Sequence, residues 1–265
     1  MDDPIEYDPV VELPPELEYR RGRPILLVHG AWHGSWCWYE HWTPHLRAAG
    51  FAVRSISLPK HRRQGSSRRI WPSMGKYVRH VRAHLEELGP DTVLIGHSMG
   101  GLVVQRALER RTQARGAILV ASVPRNGVGG ALARQLRAHP LRTIRLITTM
   151  TLWPPVSSES RVREAFFTPD TPDEIVQATT EQVQNESYRA FVSMLLRRSV
   201  PRRIHVPVTV IAAEHDGLFT LAEQQKLAST YGTDLRVIEG SGHDIMLDTS
   251  WRDAVEHVIE WIDAH

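Results

Sequence analysis

Cysteine is nearly absent from this sequence, with Cys37 the only one among 265 residues. A single thiol cannot form an internal disulfide, and it argues against a metal site built on cysteines. The sequence also lacks an apolar run of the length that crosses a membrane. Its first residues, 1–4, are acidic and lack the basic start and the apolar stretch of a signal peptide. We therefore expect a cytoplasmic protein without stable membrane insertion.

An excess of one charge is missing as well, because 32 lysines and arginines face 30 aspartates and glutamates. This balance argues against a nucleic-acid-binding protein. The basic residues form one cluster, which consists of Lys60, His61, Arg62, Arg63, Arg68 and Arg69. Two interpretations of this basic cluster stay open: a solvated loop, or a patch that attracts anionic substrates or surfaces.

What the sequence does contain is an alternation of short apolar runs and helical patterns. Continuous apolar runs are typical of strands buried on both faces of a parallel sheet. The predicted strands cover residues 24–30, 51–58, 92–95, 116–123, 206–213 and 235–239. Helical patterns cover residues 36–49, 73–88, 99–111 and 251–262. The alternation predicts an α/β protein with a doubly wound, mostly parallel sheet.

Two segments fall outside this alternation. Residues 1–22 are rich in proline and glutamate and are predicted to form an arm with one short edge strand. Residues 124–203 contain no convincing strand but show helical stretches at 128–138, 141–152, 159–167, 172–184 and 186–198. An insertion of this size between core strands predicts a helical cap over the carboxyl edge of the sheet. The core then consists of residues 23–123 and 204–265.

The strongest chemical signal is the G-x-S-x-G pattern at residues 96–100, placed between a predicted strand and a predicted helix. A serine in such a sharp turn has a strained backbone, so its neighbours must be small. Gly96 and Gly100 meet that need. Because the turn projects the hydroxyl above the sheet, Ser98 is the predicted nucleophile.

A serine hydroxyl needs a base to remove its proton near neutral pH. His243 follows the last predicted strand and is the predicted general base. A third residue should orient the imidazole and should follow the preceding strand. Asp216 is preferred there because Gly217 permits a tight turn, and Glu214 is the alternative. The chain order Ser98, aspartate, histidine matches the elbow pattern.

An acyl transfer also needs two backbone N–H groups where negative charge develops on the substrate oxygen. The amide of Met99 lies at the start of a predicted helix, where negative charge is favoured. The second amide should come from the loop after the first strand, and Ala31 is preferred, with Trp32 as the alternative. His29 is expected to hold this loop.

Apolar side chains supply candidates for a substrate pocket. Trp32 adjoins the predicted oxyanion loop, while Trp153 and Met194 belong to the predicted cap. All three are candidate substrate-binding residues, with packing in the core as the alternative. His29 and His33 have no carboxylate nearby at ligand spacing, so neither a metal site nor a cofactor is predicted.

By these residues the chain resembles the α/β-hydrolase superfamily over nearly its whole length. Within it, residues 29–38 (HGAWHGSWCW) look like the opening segment of the methylesterase and hydroxynitrile-lyase-like group and its bacterial esterase relatives. Gly242-His243-Asp244 and the helix at Trp251 look more like bacterial esterases and the lysophospholipase and monoglyceride-lipase relatives. Lyases of the first group carry a lysine where this chain has Asp244, which argues against cyanohydrin cleavage. Many members carry D-x-P-G-x-G-x-S where this chain reads Ser57-Leu58-Pro59-Lys60.

The resemblance implies an α/β-hydrolase fold and a serine hydrolase that cleaves a carboxylic ester through an acyl-enzyme. A small or medium apolar ester is expected, because the predicted cap is rich in methionine, phenylalanine and leucine and shows no evident polar anchors. Other reactions on the same triad stay open: lactone, amide, thioester or C–C hydrolysis, and cofactor-free perhydrolysis. A non-catalytic ligand receptor on the same fold is the remaining alternative. The expected partner is a small-molecule ester, with no nucleic acid, and the chain is expected to be a monomer or a homodimer.

Overall fold

The computed structural model of the chain describes residues 23–61, 65–110 and 113–265. The predicted N-terminal arm, residues 1–22, lies outside the described residues, and so do Arg62 and Arg63 of the basic cluster. Within the described ranges, no helix has the length and apolar character needed to cross a membrane.

A six-stranded sheet forms the centre of the fold, with the strand order β2-β1-β3-β4-β5-β6. Its strands are β1 Pro24–Val28, β2 Ala52–Ile56, β3 Val93–His97, β4 Gly116–Val120, β5 Val208–Ala213 and β6 Leu235–Ile238. Every neighbouring pair is parallel. The four central strands are buried nearly throughout, which is why their sequences are continuous apolar runs. The predicted doubly wound, mostly parallel α/β sheet is confirmed.

Helices cover both faces of this sheet. They are α1 Trp42–Ala48, α2 Met74–Leu88, α3 Met99–Leu108, α4 Gly129–Ala138, α5 Pro140–Thr149, α6 Glu159–Phe166, α7 Asp173–Gln182, α8 Tyr188–Leu196, α9 Leu221–Tyr231 and α10 Trp251–Ala264. Alternate residues of β1 point to opposite faces of the sheet. Ile25 and Leu27 belong to an apolar cluster with side chains of α1 and α10. Leu26 and Val28 belong to a second cluster with side chains of α2 and α3. The sheet is thus the middle layer of three.

Helices α4 to α8 follow β4 and precede β5, in the segment predicted to be a cap. In the part of the chain that the structure describes, residues 124–203 contain no strand. The division of the chain into a core and a cap stays a prediction.

Two local predictions were wrong, and one helix was not predicted. Residues 36–49 do not form one helix: a 3-10 turn at Ser35–Trp38 precedes α1, and Pro44 lies in the first turn of α1, where its missing N–H costs no hydrogen bond. Strand β4 ends at Val120, earlier than predicted, because Ala121 has a φ of 42°. Helix α9 was not predicted, although Thr220 and the third helical residue form a capping box at its start.

Candidate active site

Ser98 occupies the junction between β3 and α3 in a strained conformation, with φ 51° and ψ −118°. Its backbone N–H donates to the carbonyl of Val120 at 2.9 Å, so the turn is fixed to the neighbouring strand. A Cβ on Gly100 would lie 2.4 Å from the carbonyl oxygens of both Val28 and His29. Only glycine therefore allows α3 to start this close to β1, which is the physical reason for the last glycine of the pattern.

His243 and Asp216 form a buried pair. The Nδ1 of His243 lies 2.8 Å from Oδ2 of Asp216, and both side chains are 1% exposed. The other carboxylate oxygen accepts hydrogen bonds from the backbone N–H groups of Leu218 (2.7 Å) and Phe219 (2.9 Å), which orient it. Burial by itself lowers the pKa of His243, but the charge and hydrogen bond of Asp216 outweigh burial and raise this pKa above its ordinary value.

The two acids considered for this position have different environments. Glu214 is exposed, and its carboxylate accepts a hydrogen bond from the backbone N–H of Gly240 at 2.9 Å. Asp216 is the acid whose carboxylate contacts His243. The structure therefore brings together the preferred aspartate and the predicted base.

The loop of His243 also contacts the turn that carries Ser98. His97 Nε2 donates to the backbone carbonyl of His243 at 3.1 Å, and the two imidazole rings lie 4.9 Å apart. Burial, followed by repulsion from His243, lowers the pKa of His97 well below its usual range, so His97 is neutral. The residue before Ser98 thus connects the predicted nucleophile to the loop of the predicted base.

The loop after β1 also approaches Ser98. A Cβ on Gly30 would lie 2.9 Å from Cβ of Ser98, so glycine is required for this approach. His29 holds the loop: its Nδ1 donates to the Gly30 carbonyl at 2.7 Å, and its Nε2 accepts from the N–H of Leu58 at 2.9 Å. The next residue, Ala31, is therefore presented beside the serine.

A cavity opens above this site, with about 950 Å³ of space between its walls including the part open to solvent. Predicted site residues in its lining are Ala31, Trp32, Ser98, Met99 and Met194. The rest of the lining is mostly apolar and comes largely from the α4 to α8 segment and from Leu218 and Phe219. A mostly apolar lining with a few polar side chains is typical of small-molecule pockets.

Trp153 is the predicted pocket residue that the structure places elsewhere. It is half-buried at the turn before Pro154–Val156 and packs against the apolar cluster that joins one face of the sheet to α1, α6 and α10. The indole of Trp32, in contrast, donates to the carbonyl of Leu152 at 2.8 Å, so the loop after β1 is hydrogen-bonded to the residue next to Trp153.

Two buried residues beside the site, His33 and Asp244, form a pair that was not among the predicted site residues. The Nε2 of His33 lies 2.8 Å from Oδ2 of Asp244, and both residues are fully buried. No local pattern reveals this pair, because its members are 211 positions apart. His97, His243 and Asp244 hold donor atoms within 4.8 Å of one another, a spacing that also suits a metal ion. Their hydrogen bonds to Asp216, to His33 and to a backbone carbonyl explain the grouping without one.

A parallel sheet of this order, with a strained serine between its third strand and the following helix, defines the α/β-hydrolase class of folds. The chain belongs to the alpha/beta hydrolase family, whose sequence model matches residues 25–257.

Individual relatives match the chain over a short segment or at low sequence identity. Methyl jasmonate esterase 1 from Vitis vinifera is 36% identical over 96 residues, which is 36% of each chain. The pFDCC methylesterase MES16 from Arabidopsis thaliana is 27% identical over 236 residues, or 83% of this chain and 87% of the relative. The crystal structure of MES16 superposes with a TM-score of 0.67 and 22% identity, covering 91% of this chain and 99% of that one, which shows the shared fold. The chain spans about a third of the length of the first curated relatives that it matches.

Proposed function

We propose that this chain is a serine esterase that hydrolyses a carboxylic ester through an acyl-enzyme at Ser98. The observation that carries the proposal is the buried 2.8 Å pair between His243 and Asp216, whose loop is hydrogen-bonded to His97, the residue before Ser98. Ser98 itself is held at φ 51° in the wall of an apolar cavity. A strained serine, a base and a carboxylate that orients the base are the parts an acyl transfer needs. Similarity to two proteins named as methyl esterases supports the same activity.

In the proposed mechanism, the Ser98 hydroxyl attacks the ester carbonyl while His243 accepts its proton. Asp216 keeps the proton on Nδ1 of His243, so that Nε2 is free to act as the base. The backbone N–H groups of Ala31 and Met99 stabilise the oxyanion of the tetrahedral intermediate. His243 then gives its proton to the departing alcohol. Water activated by the same imidazole cleaves the acyl-enzyme and releases the acid.

The proposed substrate is a small or medium apolar ester. The cavity supports this choice, because its lining contains Trp32, Leu146, Phe191, Met194 and Phe219. Such a lining binds an acyl group by burial of apolar surface. Because the two relatives are named as methyl esterases, methyl esters of apolar acids are the first compounds to test.

We also propose that the enzyme works in the cytoplasm on a small molecule, needs no cofactor, and is a monomer or a homodimer. The single cysteine supports the location, since Cys37 is buried and the chain has no second thiol for a disulfide. The proposed mechanism supports the lack of a cofactor, because each step uses a side chain or a backbone amide of the chain itself.

The test is hydrolysis of p-nitrophenyl esters and methyl esters by the wild-type chain and by Ser98→Ala. The proposal predicts turnover by the wild type and a loss of about 10⁵-fold or more in the variant, as for removal of a triad nucleophile. Retained ester turnover in Ser98→Ala would refute the role of Ser98. A panel that adds lactones, amides, thioesters and peracid formation separates ester hydrolysis from the other reactions of a triad.

A further inference from the structure

The His33–Asp244 pair lies between the two loops that carry the proposed oxyanion donor and the proposed base. Nε2 of His33 is 2.8 Å from Oδ2 of Asp244, and Nδ1 of His33 is 2.7 Å from the carbonyl oxygen of Ala31. Asp244 directly follows His243 in the chain, and both members of the pair are 0% exposed. The mechanism proposed above uses neither side chain.

Each nitrogen of the His33 ring therefore faces an oxygen acceptor. A carbonyl oxygen and a carboxylate oxygen accept hydrogen bonds, so both ring nitrogens have to donate. A neutral imidazole carries one N–H, and the imidazolium cation carries two. We propose that His33 is an imidazolium cation paired with an ionised Asp244, and that this pair is a positioning device for the oxyanion loop.

The surroundings agree with this charge state. Burial alone raises the pKa of Asp244, but the nearby His33, through its charge and its hydrogen bond, is the first of the groups that outweigh burial and hold this pKa below its ordinary value. Among the described residues, the titratable groups shown to interact with His33 are Asp244, the neutral His97 with its ring 6.0 Å away, and the neutral His29. Asp244 is thus the one ionised group among them, and a buried carboxylate needs a paired cation.

Two aromatic rings fix the plane of the imidazolium. Trp36 stacks on it with centroids 5.1 Å apart, and Phe166 contacts it at the same distance edge-on. The backbone of both members of the pair is fixed as well. The side-chain amide of Gln184 donates to the carbonyl of His33 at 3.2 Å, and the backbone N–H of Asp244 donates to the backbone carbonyl of Phe166 at 3.0 Å. The ring is thereby aimed at the Ala31 carbonyl.

This contact matters because the loop is strained at the next residue. Trp32 has a φ of 66°, a conformation that a side-chain-bearing residue adopts only when its neighbours enforce it. The hydrogen bond from His33 fixes the Ala31 carbonyl on the near side of this strained residue. Through one carboxylate, the proposed oxyanion donor and the proposed base therefore share a support.

The inference about catalysis rests on the proposed esterase function, but the charge state of His33 can be tested without it. The experiment is NMR of the full chain labelled with ¹⁵N in its histidines, at neutral pH. Because the chain has 14 histidines, the His33 signals are assigned by their loss in His33→Gln. We expect two ring N–H protons and two imidazolium-type nitrogen shifts for His33. A single ring N–H would overturn the proposal.

Asp244→Asn and Glu256→Gln provide a matched comparison. Each replaces the carboxylate partner of a histidine by its amide, but Glu256 contacts His45 at the surface at 2.8 Å. In Asp244→Asn we expect the His33 signals to change to those of a neutral ring, while Glu256→Gln leaves them unchanged. An unchanged imidazolium in Asp244→Asn would contradict the pairing.

The kinetic arm tests the positioning role. A loop displaced by about 1 Å costs roughly 10² in rate, so Asp244→Asn should lower kcat about 100-fold while KM changes less than about threefold. A variant that is folded and keeps wild-type kcat would overturn the positioning role even if the NMR result holds. If the wild type hydrolyses no ester at all, the proposed function fails, and the NMR arm still decides the charge state.

Discussion

Replacement of Asp216 by asparagine tests the proposed triad with the smallest change in shape. The carboxylate holds His243 through Oδ2 and accepts from the N–H groups of Leu218 and Phe219 through Oδ1. An asparagine Oδ1 keeps the second set of bonds, while its amide N–H₂ faces the imidazole. A donor then meets Nδ1 of His243, so the ring changes tautomer and carries its proton on Nε2. An imidazole with a protonated Nε2 cannot accept the proton of Ser98.

The expected loss follows from this tautomer change. The same substitution in the triad of a serine protease lowers kcat about 10⁴-fold, which corresponds to about 5.4 kcal/mol of transition-state stabilisation at 1.36 kcal/mol for each factor of ten. Because the pair in this chain is equally direct and is 1% exposed on both sides, we expect a loss of the same order. KM should change much less, since Asp216 is not part of the cavity lining.

The assay is initial-rate hydrolysis of a p-nitrophenyl ester, with thermal unfolding measured to show that each variant is folded. Glu214→Gln is the matched control, because it changes the neighbouring exposed acid, whose carboxylate contacts the backbone of Gly240. We expect this control to retain activity within a factor of about three. An Asp216→Asn enzyme with more than a tenth of wild-type kcat would refute the reasoning. Equal losses of kcat in Asp216→Asn and Glu214→Gln would contradict a specific role of Asp216 in orienting His243.

Three further predictions concern pH and stability. In a pH profile of kcat/KM, the acid limb should have its midpoint above pH 6.5, the ordinary pKa of histidine, because Asp216 raises the pKa of His243 and only the neutral imidazole acts as a base. A midpoint below pH 6.5 would contradict this prediction. Gly100→Ala should destabilise the chain by about 3 kcal/mol in urea unfolding, since the added Cβ would lie 2.4 Å from two backbone oxygens. Gly129→Ala should not destabilise it, because a Cβ at that position would meet no atom within 4 Å. Glu186→Gln should lower the free energy of unfolding by about 3–5 kcal/mol, because it breaks the fully buried 2.8 Å pair with His61. Glu256→Gln, at the surface pair with His45, should lower it by about 1 kcal/mol or less, and equal losses in the two variants would contradict the role of burial.

The sequence predicted those parts of the fold that local patterns encode. Strands β1, β3, β4 and β5 are buried on both faces, so the sequence of each is mostly a continuous apolar run that indicates a strand. Helix α9 was missed because its sequence, LAEQQKLASTY, is mostly polar and buries few residues, namely Gln224, Leu227 and Ala228. Its capping box, Thr220 with Glu223, was the available signal.

The candidate site divides in the same way. Ser98, Asp216 and His243 each follow a strand of a parallel sheet, and the ends of such strands meet at one edge, so position along the chain was enough to nominate them. Trp153 and the His33–Asp244 pair depend on contacts between distant segments. Which indole faces the cavity, and which carboxylate neutralises a buried ring, is decided by packing that no single segment encodes.

The central claim is that Ser98 is activated as a nucleophile, and covalent trapping by a fluorophosphonate tests it most directly. Intact-mass measurement of the folded wild-type chain should show one adduct, and peptide mapping should place it on Ser98. Folded Ser98→Ala should gain no adduct, and His243→Ala should react far more slowly than the wild type. An adduct on another residue, or a folded wild-type chain that does not react, would contradict the account.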